Sequence, residues 1–323
     1  MTDYVRRGGM DVQPPPWKCD DVEGYVFYLP ANRSALQEVC DRTLNIPSNY
    51  KLRYSPVVDY VVLTFQRLTG LHSISPHAHN NGRHTYCEVS FWVMVKDRSA
   101  NRGTELLIPY IFAGDGLAVS AGRETFGYPK EYAAIRMPGH QSPAHTFDVE
   151  CLAVHQQGGN AIHQSVISCV SNITGLLSVG VATAGLPDLW PQIRAIQNAD
   201  TYWLGTNQLL EQAGFGRLGM IWEVIKIWLS QRTQSVFLRQ FRALGGGSMS
   251  DLTQVVQVEL KPFIIKRLSI LPGAYNLNIA NLPSHPMAND FGLAANPQGF
   301  IDVPLGIKVD LEFKLNAGTV VWP

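Results

Sequence analysis

Two runs constrain the fold of this chain more than anything else in it: "PVVDYVVLTFQRL" at 56–68 and "HTYCEVSFWVMVKD" at 84–97. Both are dense in β-branched and aromatic residues, which suit a pleated, half-buried surface. "YVFYLPA" (25–31), "ELLIPYIFAG" (105–114), "FDVECLAVHQQ" (147–157), "SVFLRQFRAL" (235–244) and "QVVQVELKPFIIKRLSI" (254–270) read the same way, as does the terminal "KVDLEFKLNAGTVVW". The expectation is an α+β fold with mainly antiparallel strands. Helix is expected after the first strand, where Ala35, Leu36, Val39, Cys40 and Leu44 recur at helical spacing behind a Ser34 N-cap. A second helical stretch is expected as an insertion at about 165–234. There Leu218, Ile221, Trp222, Ile225, Trp228 and Leu229 form a wide apolar stripe. It reads either as a helix packed on the core or on another subunit, or as a lid over an apolar pocket. Gly245-Gly246-Gly247 lacks the Walker spacing and lies between two strand runs, so it reads as a hairpin loop.

Residues 1–16 read as a flexible arm ending in three prolines, followed by one domain over 17–323. Acids and bases balance at 26 each, which gives no reason to expect nucleic acid or an anionic membrane as partner. Five cysteines without a CxxC pair read as reduced thiols. With neither an apolar leader nor a bilayer-length apolar run, a cytoplasmic location is expected.

The chemistry concentrates in "GRETFGYPKEY" at 122–132. Proline fixes its own φ and pushes the residue before it towards extended backbone, so Tyr128-Pro129 is a rigid bend that presents Lys130 in a defined direction. A lysine freed of its proton by burial or by a nearby cation can attack a carbonyl. The protonated imine that results is an electron sink for decarboxylation, aldol chemistry or dehydration. Taken alone, a lysine among acidic residues is more often a solvated surface charge.

The segment "GRETFGYPKEYAAI" resembles the active-site block of the acetoacetate decarboxylases, in which Gly-Arg-Glu, a short spacer and Tyr-Pro-Lys recur with the same spacing. "TYCEVSFWVMV" is similar to the segment of that family that carries an active-site carboxylate. The resemblance implies a barrel-like or cone-like sheet around a closed pocket and a homo-oligomer. It gives the Schiff-base role to Lys130 and the acid/base role to Glu88, and it implies no metal and no organic cofactor, the imine taking the cofactor's part. Two positions depart from the family pattern. Glu131 stands where a second lysine follows the first, and Val22 aligns with an arginine associated with the substrate carboxylate. That combination resembles the divergent branch of the superfamily, which uses the imine for aldol, dehydratase or cyclase chemistry on keto acids. The expectation is a Schiff-base lyase acting on a keto acid or related carbonyl compound, of aldol, dehydratase or cyclase type, with β-keto acid decarboxylation as the alternative and a non-catalytic binding protein for an apolar carbonyl ligand as a second.

Among the other candidates, Tyr128 could hydrogen-bond an intermediate, and Arg123 could hold a carboxylate or pair with Glu124 to support the loop. Glu131 reads as a second acid/base group or a solvated charge. His84, four residues before Glu88, could share its strand face and relay protons. The His77-x-His79 pair could bind zinc but reads better as a polar loop beside Asn80-Asn81-Gly82.

Overall fold

The computed structural model describes residues 3–5, 12–78, 82–100, 103–139, 146–171, 233–271, 275–303 and 305–323. The strands are β1 (Trp17–Pro30), β2 (Tyr54–Pro56), β3 (Tyr60–Ser73), β4 (His84–Asp97), β5 (Thr104–Ala113), β6 (Lys130–Arg136) and β7 (Thr146–Val154). They continue with β8 (Ala161–Ser171), β9 (Thr233–Arg242), β10 (Ser250–Ile270), β11 (Tyr275–Ile279), β12 (Ile301–Asp302), β13 (Leu305–Leu315) and β14 (Thr319–Trp322). Three α-helices are described: α1 (Arg33–Cys40), α2 (Gly116–Phe126) and α3 (Met287–Phe291).

Backbone pairing explains the shape. β1 pairs β3, β3 pairs β4, β4 pairs β5, β5 pairs β9, β9 pairs β10, β10 pairs β13, and β13 returns to β1. This circuit is a closed ring, in keeping with the barrel-like expectation, its shortest seam being the three residue pairs between β5 and β9. β5 also carries β6 in parallel, with Ile111 opposite Lys130. From β6 a second layer runs antiparallel through β7, β8, β11 and β12. Alternation along each strand then builds two cores. Phe27, Phe65, Val89, Phe91 and Phe112 point out of the ring and meet Phe147, Val149, Ile167 and Leu277 of the second layer. Val22, Val26, Leu68, Tyr86, Ile108, Val309 and Leu311 belong to the other core, on the opposite strand faces.

Four local expectations change. The α1 cap is Asn32, whose side chain accepts from the amides of Ser34 and Ala35; Ser34 is already past the cap. The start of the expected helical insertion is strand: β8 runs to Ser171, with Val166 and Ile167 buried between β7 and β11. The rest of that insertion, including the Trp-bearing stripe, lies outside the described residues. Gln13, in the expected N-terminal arm, is buried; it accepts from the Ser73 amide and its carbonyl accepts from the Trp17 indole. Helix α2 has no counterpart in the expectation. Its signals are Asp115, whose side chain accepts from the Ala118 amide, and Gly127, left-handed at φ 78°. Gly245–Gly247 is the turn of the β9–β10 hairpin, as expected. All five cysteines are free. No helix of the described residues is long and apolar enough to cross a membrane.

Burial pushes the thiols of Cys19, Cys40 and Cys169 up to about 12. These groups hold their protons in the fold where the unfolded chain releases them, so their stabilisation is complete below about pH 9 and lost as pH rises towards 12. Chemical unfolding between pH 7 and 11 is expected to show constant stability up to about pH 9 and a decline above it. Cys169→Ala should lower stability at pH 7 and make the alkaline decline shallower by up to about 1.4 kcal/mol per pH unit.

Candidate active site

The site is assembled where α2 hands the chain to β6. Gly127 closes the helix: its amide donates to the Arg123 carbonyl, and the Tyr128 amide donates to that of Gly122. The Lys130 amide then donates to the Tyr128 carbonyl at 2.7 Å, a γ-turn centred on Pro129. Three backbone constraints within four residues thus fix the direction in which Lys130 leaves the chain. Its side chain runs along Gly122, where a Cβ would lie 2.8 Å from the lysine Cδ. Only a glycine lets the lysine lie against the helix.

Lys130 is 4% exposed. Its Nζ lies 2.6 Å from Glu88 Oε2 and 3.3 Å from the Tyr86 hydroxyl, which in turn donates to Glu88 Oε2 at 3.3 Å. The rings of Tyr86 and Tyr128 each lie 5.5 Å from Nζ, close enough for cation–π attraction. Burial, reinforced by the Glu88 charge, pushes both phenols well above their ordinary value, so they stay protonated donors at neutral pH. Below them a polar string crosses the floor. Gln66 Nε2 donates to Thr64 Oγ1 at 3.3 Å, Thr64 Oγ1 lies 2.8 Å from Ser90 Oγ, and the Trp92 indole donates to Ser90 Oγ at 2.5 Å.

These groups open on a cavity with about 80 Å³ of space for the centre of a water-sized molecule. One water needs roughly 10–15 Å³ on that measure, so several waters or a small organic molecule fit. Apart from Lys130 and Glu88 the walls carry no charged side chain among the described residues; Trp17, Val22, Leu68, Trp92, Ile111 and Leu311 are typical. A bulge in β1 between Cys19 and Val22 shifts the register ahead of Val22, and Val22 lines the cavity.

The other expected site residues scatter. Tyr128 lines the cavity. Arg123 is exposed and absent from the cavity wall; its guanidinium donates to the Lys130 carbonyl at 3.2 Å, so it braces the backbone. No ion pair joins Arg123 to Glu124 among the described residues. Glu131 follows Lys130 on a strand and so faces the other way, where it meets His285 at 2.8 Å. His84 lies beside a separate, smaller hollow with His72 and Leu117, and Gln13 is its partner at 3.2 Å. Tyr86 lines both hollows and separates His84 from Lys130. Tyr86 itself was missed, although its place two residues before Glu88 puts it on the same strand face. His77 sits in an exposed turn, and His79 lies outside the described residues.

Comparison with known proteins agrees with this geometry. The family model described as acetoacetate decarboxylase (ADC) matches residues 4–156, a span that includes Glu88, Tyr128 and Lys130. No curated protein matches the chain significantly by sequence. Among solved structures, an acetoacetate decarboxylase from Legionella pneumophila is 12% identical with TM-score 0.59, covering 98% of this chain and 92% of its own. An acetoacetate decarboxylase-like enzyme from Sphingomonas wittichii RW1 is 12% identical with TM-score 0.58, covering 100% and 98%. The enduracididine biosynthesis enzyme MppR, solved with the condensation product of pyruvate and imidazole 4-carboxaldehyde, is 14% identical with TM-score 0.55, covering 97% and 92%. These matches give the ring and its second layer an acetoacetate decarboxylase-like fold. Residues 4–156 thus resemble the acetoacetate decarboxylase family, and the chain shares its fold with solved acetoacetate decarboxylase-like enzymes.

Two glycines separate placement of the lysine from stability of the fold. Gly122→Ala gains helix propensity, so unfolding free energy should change by less than about 1 kcal/mol. The new methyl would nonetheless push Lys130 off Glu88, and reductive labelling of Lys130 by a small aldehyde should change at least tenfold. Gly127→Ala meets both φ 78° and the Arg239 backbone at 2.6 Å. It should cost about 2–5 kcal/mol in urea unfolding.

Proposed function

We propose that this protein is a Schiff-base lyase that uses Lys130 as nucleophile on a small carbonyl compound, with aldol or dehydratase chemistry rather than decarboxylation of acetoacetate. The observation that carries the reading is the buried Lys130–Glu88 pair at the wall of an apolar cavity. Inside such a cavity the attraction of the two charges and their loss of hydration are both several kcal/mol and oppose each other. Moving one proton from Nζ to Glu88 leaves the total charge unchanged and produces a neutral amine. No second cation is needed for that step.

The amine nitrogen then bonds to the carbonyl carbon as the C=O π bond breaks, and the proton that the nitrogen sheds passes to the oxygen to give a carbinolamine. Glu88, now protonated, returns its proton to the hydroxyl, which leaves as water and generates the imine. The Tyr86 and Tyr128 phenols sit where they can donate to oxygen as charge builds on it. The protonated imine accepts the electron pair released by a broken C–H, C–C or C–COO⁻ bond, and so fills the role of an organic cofactor.

The walls narrow the substrate. Lys130, already engaged by Glu88, is the one cation lining the cavity among the described residues, and Val22 occupies the position where the family pattern carries a carboxylate-binding arginine. A free carboxylate would lose its hydration there without a partner. A ketone or aldehyde with an apolar body fits better than acetoacetate. The same walls would serve a carrier of apolar carbonyl compounds, so the experiment must detect the covalent bond.

Borohydride reduction in the presence of pyruvate, acetoacetate, longer keto acids and uncharged aliphatic or aromatic ketones and aldehydes should leave a mass adduct on the peptide containing Lys130. Uncharged apolar carbonyls should trap faster than pyruvate. Lys130→Arg should abolish the adduct, and Glu88→Gln should slow its formation by about 10²–10⁴ while the protein stays folded. If the folded protein binds these compounds yet none is trapped, the carrier reading replaces the enzymatic one.

A further inference from the structure

Behind Lys130, on the opposite face of β6, three side chains of metal-ligating type converge. Glu131 Oε2 lies 2.8 Å from His285 Nε2, and Cys151 Sγ lies 3.7 Å from the same nitrogen. The three ligand atoms all fall within 4.8 Å of one another. They come from β6, from β7 and from the turn before α3, so nothing in local sequence explains their meeting. Cys151 and His285 are buried, whereas Glu131 is 40% exposed at its side chain.

We propose that Glu131, Cys151 and His285 form a zinc site, with water as the fourth ligand. One thiolate, one imidazole and one carboxylate are a donor set that zinc takes in tetrahedral geometry, with bonds of about 2.0–2.3 Å. Ligand atoms around such an ion lie roughly 3.2–3.7 Å apart. The Cys151–His285 separation already fits, and the Glu131–His285 separation must widen by about half an ångström, which the partly exposed glutamate can accommodate. Without a metal the imidazole satisfies Glu131 and Ser284 but leaves the Cys151 thiol only a long contact. The single Nε2 cannot serve both the carboxylate at 2.8 Å and a thiol at 3.7 Å with one proton.

The surroundings of the imidazole support the assignment. His285 Nδ1 lies 2.8 Å from Ser284 Oγ, and that hydroxyl accepts from the Val154 amide at 2.8 Å. A metal-ligating histidine characteristically has its second nitrogen held by an oxygen in this way, which leaves Nε2 for the ion. The Phe112 ring packs along the imidazole at 5.9 Å and limits its rotation. Thiolate in the set favours zinc over magnesium or calcium, which prefer oxygen ligands. Binding displaces the Cys151 proton to solvent. The bound ion would tie β6, at the residue after Lys130, to β7 and to the turn before α3. The proposal is independent of the reaction at Lys130, whose substrate it does not touch.

The test uses the whole chain, stripped with chelator and then given Zn²⁺ or Co²⁺ alone. Elemental analysis after desalting should find one zinc per chain, and zinc should raise Tm by several degrees. Cobalt should produce a thiolate-to-metal charge-transfer band in the near ultraviolet. Cys151→Ser should remove that band, and Cys87→Ser should leave it. Ser284→Ala should weaken zinc binding by about 10- to 100-fold. Should Cys151→Ser fail to fold, Glu131→Gln, altered at a partly exposed position, should still lower zinc affinity at least tenfold. Substoichiometric zinc after desalting, or a cobalt band that survives Cys151→Ser, overturns the proposal.

Discussion

A lysine and a carboxylate held 2.6 Å apart inside an apolar ring cannot be treated as an ornament on the fold, because the fold has to hold them there. Removing either partner would strand the other without water, at a cost of about 3–5 kcal/mol. The ring must therefore stay closed and the lysine must stay aimed. Closure comes from the β5–β9 and β13–β1 pairings, which join segments far apart in sequence. Aim comes from the α2 cap, the γ-turn at Pro129 and the Gly122 surface. A chain of weak, local backbone constraints thereby positions one strong, buried interaction.

β5 is the hinge of this arrangement in a geometric sense. Its first half pairs β9 within the ring and its second half pairs β6, which opens the second layer. A strand leaving the ring at that junction presents one face to the cavity and the other to the space between layers. Lys130 takes the first face; Glu131 takes the second and meets His285. Two environments of opposite character, one apolar with a single ion pair and one lined with metal-ligating groups, are separated by one peptide bond.

The strands were legible because their composition is extreme. β3 and β4 alternate β-branched and aromatic residues on both faces, since both faces are buried, one in each core. Glu88 and Lys130 stood out because a motif carries them, whereas Tyr86 belongs to no motif and joins them only through the shared face of β4. α2 was readable from Asp115 and Gly127, yet its sequence "GLAVSAGRETF" holds two glycines that weaken helical patterning. Ring closure was expected from family resemblance alone, since no periodicity records which strands meet. The convergence of Glu131, Cys151 and His285 lies further beyond reach. Cys151 and His285 stand 134 residues apart, and each alone reads as a core residue.

The two departures from the decarboxylase pattern turn out to be unequal once the strand faces are known. A change at position 131 falls on the outer face of β6, where it alters the partner of His285 and leaves the cavity untouched. Position 22, which the resemblance aligns with an arginine, lies inside the cavity, where Val22 stands among apolar walls. The first departure therefore says little about whether Lys130 can form an imine. On the proposed reading the second alters what the substrate's carbon skeleton can carry, since among the described residues the one cation a carboxylate would meet in this ring is Lys130. On the proposed reading, with Lys130 as nucleophile, Glu88 as acid and Val22 in place of the family's arginine, the site is altered in its substrate more than in its chemistry.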